Sequence, residues 1–213
     1  MANILILGAA GQIARLATRL FFARTSDHLV LYLRHPGRLK VGDPARETVV
    51  DGDANDVAAL TRAMAGQDLV YANLAGDDIE SQARAVVAAM RAAGIRRLVW
   101  ISTLGIYDEV PGPFGKWNRD TLGDYLTTYA AAARVIEGSG LDYTLVRPAW
   151  LTDKDEIDYE TTEKGEPFKG TEVSRLSVAD LVVRLATHPE RHVHGSLGVD
   201  KPGSEGDRPA WYR

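Results

Sequence analysis

Seven residues near the start of the chain, Gly8-Ala9-Ala10-Gly11-Gln12-Ile13-Ala14, set two glycines and an alanine at a G-x-x-G-x-x-A spacing. Backbone amides at a helix N-terminus carry partial positive charge and lack intrahelical acceptors, so they attract phosphate wherever no side chain obstructs its approach. Glycine at positions 8 and 11 removes that obstruction, and Ala14 is small enough for a helix to pack closely on a strand. The motif is a candidate pyrophosphate cradle, with Gly8, Ala10, Gly11, Gln12 and Ile13 against the ligand. About 20 residues beyond such glycines, an NAD site usually offers an acid to the ribose 2′-hydroxyl. This chain offers Arg34 instead, with Arg38 close behind it. An arginine fork matches phosphate oxygens, so the pair favours a 2′-phosphate and NADP, NAD remaining possible. Asp53, in Asp51-Gly52-Asp53-Ala54, suits either of two roles: accepting from an adenine amino group, or ending a turn before the next helix.

The elements that must position these residues follow from the hydrophobic pattern. Short β-branched and leucine-rich runs alternate with helix-period segments, as expected of a parallel sheet with helices on both faces. Strands are predicted over 3–7, 28–33, 48–50, 68–74, 97–102, 143–146 and 196–199. Helices are predicted over 12–24, 56–65, 79–93, 122–137 and 177–186. Residues 105–115 read as a Gly/Pro-rich loop. The polar, acidic stretch 152–172 is too long for a simple connection, so residues 149–175 are expected to form a substrate-side excursion. The fold class is thus α/β, a Rossmann-type doubly wound sheet in a single domain spanning 1–213. A tail over 201–213 ends in aromatic residues and is expected to dock in part.

Composition narrows the chemistry. The absence of cysteine removes thiolate catalysis, disulfides and cysteine-ligated metals. His28, His35, His188, His192 and His194 have no ligand-like spacing, so no metal site is expected. A net charge of -4 argues against a nucleic-acid surface. No apolar run approaches the roughly 18 residues of a membrane span, and a cytoplasmic location is expected. A small-molecule substrate is the expected partner, with a homodimer or a regulatory protein partner left open.

Several separated motifs share one pattern: the Gly8 to Ala14 loop, Arg34, Gly52-Asp53, Val99-Trp100-Ile101-Ser102-Thr103, Ser139-Gly140-Leu141-Asp142-Tyr143-Thr144-Leu145-Val146-Arg147-Pro148, and Ser174-Arg175-Leu176-Ser177-Val178-Ala179-Asp180-Leu181. Together they resemble the atypical short-chain dehydrogenase/reductase family, in its NAD(P)-binding, NmrA-like branch. The stretches 104–121 and 148–153 look like a bacterial subgroup of small oxidoreductases. The resemblance spans all but the tail. It implies strand order 3-2-1-4-5-6-7, with Asn73, Leu74, Ala75 and Gly76, and Arg147, Pro148 and Ala149, lining the nicotinamide.

Carbonyl reductases of that family use a serine after the fifth strand and a Y-x-x-x-K pair, whose lysine lowers the tyrosine pKa. Ser102 supplies the serine and is counted among both the catalytic and the cofactor-binding candidates. The tyrosine position falls on Tyr125, but the lysine position is Tyr129. The two tyrosines, four residues apart, also suit an ordinary amphipathic helix. Tyr107, in the loop after the fifth strand, is a further catalytic candidate. Without the lysine the resemblance favours reduction of quinones, carbonyls or similar acceptors over alcohol oxidation. It also allows a non-catalytic, NADP(H)-sensing regulator of NmrA type, and less readily a nucleotide-sugar epimerase. Trp117 and Trp150 each follow a strand end, where they can wall a flat acceptor or simply fill core. The acidic excursion favours neutral or cationic acceptors.

Overall fold

Strand β1 (Asn3–Leu7) shows why the chain winds on both faces of one sheet. Ile4, Leu5, Ile6 and Leu7 are all fully buried, and alternation sends Ile4 and Ile6 into one core and Leu5 and Leu7 into another. The first core lies under α1 (Gln12–Arg24) and α6 (Arg175–Thr187); the second lies under α2 (Val57–Met64), α3 (Ile79–Ala93) and α5 (Asp124–Glu137). The computed structural model describes residues 1–40 and 42–212.

The remaining strands are β2 (His28–Leu33), β3 (Glu47–Asp51), β4 (Leu69–Ala72), β5 (Arg97–Ile101), β6 (Asp142–Pro148), β7 (Trp150–Thr152), β8 (Glu160–Thr162), β9 (Glu172–Ser174) and β10 (Gly195–Asp200). The main sheet runs β3-β2-β1-β4-β5-β6-β10-β8. Its first seven strands are parallel, in the order that the resemblance implies, with β10 as seventh. Chain order reverses beside β1, between β1 and β4, which opens a crevice at the strands' C-terminal ends.

Two segments differ from the sequence expectation. Helix α4 (Gly112–Leu122) starts inside the predicted loop and runs through residues 116–121, which were given no element; its two glycines and a proline hid it. The proline stands in the first turn, where no amide is needed, and Gly115 is required because a Cβ there would lie 1.9 Å from the Val110 carbonyl oxygen. Helix α5 accordingly begins at Asp124, two residues later than predicted. The stretch 152–172 is also not structureless. It starts at the end of β7, which pairs with β9, and contains β8, which adds antiparallel to β10. Gly198 on β10 makes room for this edge, since a Cβ would meet Thr162 Oγ1 at 2.3 Å and the Phe168 ring at 2.7 Å. Buried Asp180 on α6 then ties the excursion to the body, accepting from Tyr159 Oη (2.9 Å), Arg24 (2.5 Å) and Arg184 (2.7 Å).

Candidate active site and cofactor cleft

The turn after β1 is built by contacts with β2 and β4. Gly8 takes a left-handed φ of +70°, and the amides of Gly8 and Ala9 both reach the Tyr32 carbonyl, at 3.0 and 3.3 Å. A Cβ on Gly8 would lie 2.3 Å from the Asn73 carbonyl oxygen, and one on Gly11 would lie 2.1 Å from Asn73 Nδ2. The glycines are therefore demanded first by the end of β4, a constraint that ligand clearance or a tight turn, the two readings of the sequence, did not reveal. Helix α1 begins with no side-chain cap and no acid in its first turn, which leaves its leading amides available to an anion. That arrangement fits a dinucleotide pyrophosphate. The Gln12 side chain is exposed and outside the cleft lining, so only its backbone can serve; Ile13 is buried at the cleft's far end.

One half of the cleft, about 270 Å³, runs from Gly8, Ala10 and Gly11 past Tyr32, Arg34 and Arg38 to Asp53. Arg34 and Asp53 face each other at 3.9 Å with side chains 71% and 48% exposed. Left-handed His35 (φ +60°) starts the short 3-10 turn Pro36–Arg38, and Arg15 Nη2 holds it through the Arg38 carbonyl at 3.0 Å. Asp53 does not cap the next helix, because Asp56 accepts from the Ala59 amide at 2.9 Å and does so itself. Asp53 instead takes the Asn55 amide at 2.9 Å in a tight turn. Its carbonyl accepts from Tyr32 Oη at 2.9 Å, across the space left by Gly52, where a Cβ would lie 2.1 Å from that oxygen. Burial, reinforced by Asp56 and Asp53, pushes Tyr32 up to about 12, so it stays a neutral donor.

The second half, about 200 Å³, shares Asn73, Leu74 and Ala75 with the first, so the two make one continuous crevice. It is lined further by Ile13, Ser102, Thr103, Pro148, Ala149 and Leu151, with Tyr125 and Tyr129 along one side. The tyrosine rings stack at 4.0 Å between centroids and 26° between planes. Burial raises both hydroxyl pKa values above the ordinary, and in Tyr129 the neighbouring Tyr125 hydroxyl adds to the rise. Gly76 lies outside this lining, with its backbone at the hydroxyl end of Tyr129. No charged side chain lines this half among the described residues.

Besides Gln12 and Gly76, four expected site residues stand elsewhere. Arg147 is fully buried beneath the sheet end, paired with Glu109 and bonded to Ser196, so it cannot line the nicotinamide; the alternation of β6 gives that surface to Pro148. Tyr107 is held behind the loop by Glu137 (2.7 Å) and Ser196 (3.2 Å), away from the hollow. Trp117 and Trp150 are not among the lining residues. Their rings meet at 4.7 Å and pack against Tyr212 of the tail at 4.8 and 5.7 Å, while Trp150 Nε1 donates to Asn118 at 2.9 Å. Sequence reasoning missed Tyr32, Gln82, Thr103 and Leu151, which line the crevice, and Arg15, which braces it. Thr103 and Leu151 each adjoin a residue it had singled out. Among the described residues, no group of three histidines or carboxylates could hold a metal ion. No helix is long and apolar enough to cross a membrane, again among the described residues.

A glycine turn between the central strand and an uncapped helix, opening on a crevice at the switch point of a parallel sheet, defines a nucleotide-binding domain of the Rossmann class. The chain belongs to the NAD(P)H-binding family, whose sequence profile matches residues 8–189. A Rossmann-fold NAD(P)-binding family protein from Shigella flexneri is 42% identical, with both chains covered in full and a TM-score of 0.86. A short-chain dehydrogenase/reductase from Veillonella parvula, solved in complex with NADP, is 30% identical over 99% of each chain with a TM-score of 0.93. An uncharacterized sugar epimerase of Bacillus subtilis is 26% identical, over 85% of this chain and 86% of its own length. A (4-alkanoyl-5-oxo-2,5-dihydrofuran-3-yl)methyl phosphate reductase of Streptomyces griseus is 34% identical over 68% of this chain, but only 46% of its own length.

Proposed function

We propose that the protein transfers a hydride from NADPH to a small, conjugated organic acceptor such as a quinone or an enone-type carbonyl compound. The observation that carries this reading is the crevice itself: a basic adenine end joined without a break to an uncharged hollow that holds hydroxyl groups but no base. When bound, the dinucleotide supplies the hydride from its nicotinamide. The leading amides of α1 hold the pyrophosphate, and Arg34 and Arg38 hold the 2′-phosphate. Ser102 and Tyr125 orient the acceptor by donating hydrogen bonds.

The uncharged lining, with the Tyr125 and Tyr129 hydroxyl pKa values raised by burial, favours some acceptors over others. Such hydroxyls stabilise developing negative charge without giving up a proton readily. A simple ketone would become a strongly basic alkoxide and need that proton at once. A quinone becomes a delocalised anion that takes its proton from water. Nucleotide-sugar epimerisation and alcohol oxidation both require a hydroxyl proton to be removed, and among the described residues no group lining the hollow serves as that base. The NADP-bound Veillonella structure and the Streptomyces reductase are consistent with a reductive role.

The test is NADPH oxidation, followed by the loss of its near-ultraviolet absorbance, with a panel of quinones, enones, aldehydes and nucleotide sugars. Turnover of quinones or enones well above aldehydes is expected. Preference for aldehydes or sugars would overturn the acceptor class. Tight NADPH binding with no turnover at all would make the protein a cofactor-sensing regulator instead.

A further inference from the structure

A set of buried polar groups beneath the hollow takes no part in the reading above. Arg147 is fully buried, and its guanidinium pairs with Glu109, whose side chain is only 4% exposed. It also donates to Ser196 Oγ at 3.0 Å and to the Ser196 carbonyl at 3.1 Å. The Glu109 carboxylate is used twice more, accepting from the Gly105 amide at 2.9 Å and the Tyr107 amide at 3.0 Å. One carboxylate therefore holds donors from β6 and from the turn that follows β5.

That turn needs an external hold. Gly105 sits at φ +87° and Asp108 at φ +58°, two left-handed residues in one short turn, the second of a type that tolerates that region better than most. Just before it, the Ser102 amide donates to the Val146 carbonyl at 2.7 Å and the Leu104 amide to the Pro148 carbonyl at 3.2 Å. Ser102, Thr103 and Pro148 form one wall of the hollow. The Glu109 carbonyl also accepts from the Phe168 amide at 2.9 Å, linking the same residue to the excursion. Stability alone is a poor explanation for the pair, because a buried ion pair is often no more stabilising than well-packed apolar residues.

We infer that Glu109, clamped by Arg147, is a positioning residue that sets the wall of Ser102, Thr103 and Pro148 against which the nicotinamide half of a dinucleotide rests. This inference depends on the reading that a dinucleotide occupies the crevice. It does not depend on which acceptor is reduced.

The experiment compares two ligands by calorimetry on the full chain: NADPH, and adenosine 2′,5′-bisphosphate, which has the adenine end and no nicotinamide. Glu109→Gln should leave the bisphosphate Kd within about twofold of the parent and weaken NADPH about tenfold or more. Should that variant not fold, Arg147→Lys keeps a cation opposite Glu109 while losing the fork to Ser196. It should weaken NADPH roughly three- to tenfold, again without moving the bisphosphate. Equal loss of both ligands would mean a merely structural role and overturn the inference, as would no loss of either. If the parent binds neither ligand, the dinucleotide reading fails and the positioning role falls with it. If NADPH binds and shows the selective loss but no acceptor turns over, only the hydride-transfer proposal fails.

Discussion

Arg34→Ala isolates the basis of the cofactor preference. The Arg34 side chain is 71% exposed, and its facing carboxylate on Asp53 stands 3.9 Å away, 48% exposed. An ion pair that open contributes about 0–1 kcal/mol, so the variant should melt close to the parent. A charge-assisted bond from guanidinium to a 2′-phosphate is worth roughly 1.5–3 kcal/mol. At about 1.4 kcal/mol per tenfold, loss of that bond weakens NADP roughly 10- to 150-fold. NAD carries no 2′-phosphate, and its affinity should stay within about threefold. Calorimetric titration of both cofactors at about 0.15 M and about 0.5 M salt gives the measurement. The parent's preference should shrink at the higher salt, where the Debye length falls well below its ~8 Å physiological value. Equal affinities in the parent would refute the 2′-phosphate assignment. So would an Arg34→Ala variant that keeps its preference, unless Arg34→Ala/Arg38→Ala then removes it.

Three further perturbations test other parts of the argument. Gly8→Ala forces a Cβ to 2.3 Å from the Asn73 carbonyl at a φ of +70°, so it should lower thermal stability by more than the ~1–2 kcal/mol of left-handed strain and weaken NAD and NADP together. A melting temperature equal to the parent's would show that β4 does not press on the turn as described. Asp200 is buried, and burial lifts its pKa to about 6 from the ordinary 3.8. The folded state therefore holds that proton more tightly than the unfolded chain, and this contribution to stability falls as pH rises from about 3.8 to about 6. Asp200→Asn should flatten the decline in thermal melts across that range, and an unchanged profile would rule Asp200 out as its source. Tyr129→Phe removes one hydroxyl from the hollow and leaves the adenine end intact. It should leave the Kd for NADPH within about threefold and lower quinone turnover, whereas an equal loss in both would move Tyr129 from the acceptor side to the cofactor.

The parts legible in the sequence were those governed by local pattern. The unbroken apolar run Ile4 to Leu7, the glycines at 8 and 11 and the alternation of strand with helix point to a doubly wound sheet before any long-range contact is known. Arg34 is equally local, because its distance from the glycines suffices to bring it to the adenine end. What escaped depends on partners far along the chain. Whether Arg147 meets the ligand or the interior turns on the parity of one strand and on Glu109, 38 residues away. Helix α4 was obscured by glycines and a proline whose purpose is clear only once Val110 lies against Gly115. The tryptophans were rightly seen to follow strand ends, but the tail that covers them lies more than 60 residues beyond Trp150 in the chain.

That aromatic gathering gives the protein an optical property. Of its four tryptophans, Trp100 is sealed in the core beside β6, while Trp117, Trp150 and Trp211 share one cluster with Tyr212. Rings this close exchange excitation and couple their near-ultraviolet transitions, so most of the intrinsic emission and much of the near-ultraviolet dichroism report on a single place. That place is the junction of α4, β7 and the tail, next to Leu151 of the hollow. Trp211, 46% exposed, is the ring through which solvent first quenches the cluster. Loosening of the tail would then register as a red shift while the signal of Trp100 stays still. The chain carries its own fluorophores at the edge of the hollow, and rearrangement there can be followed without a label.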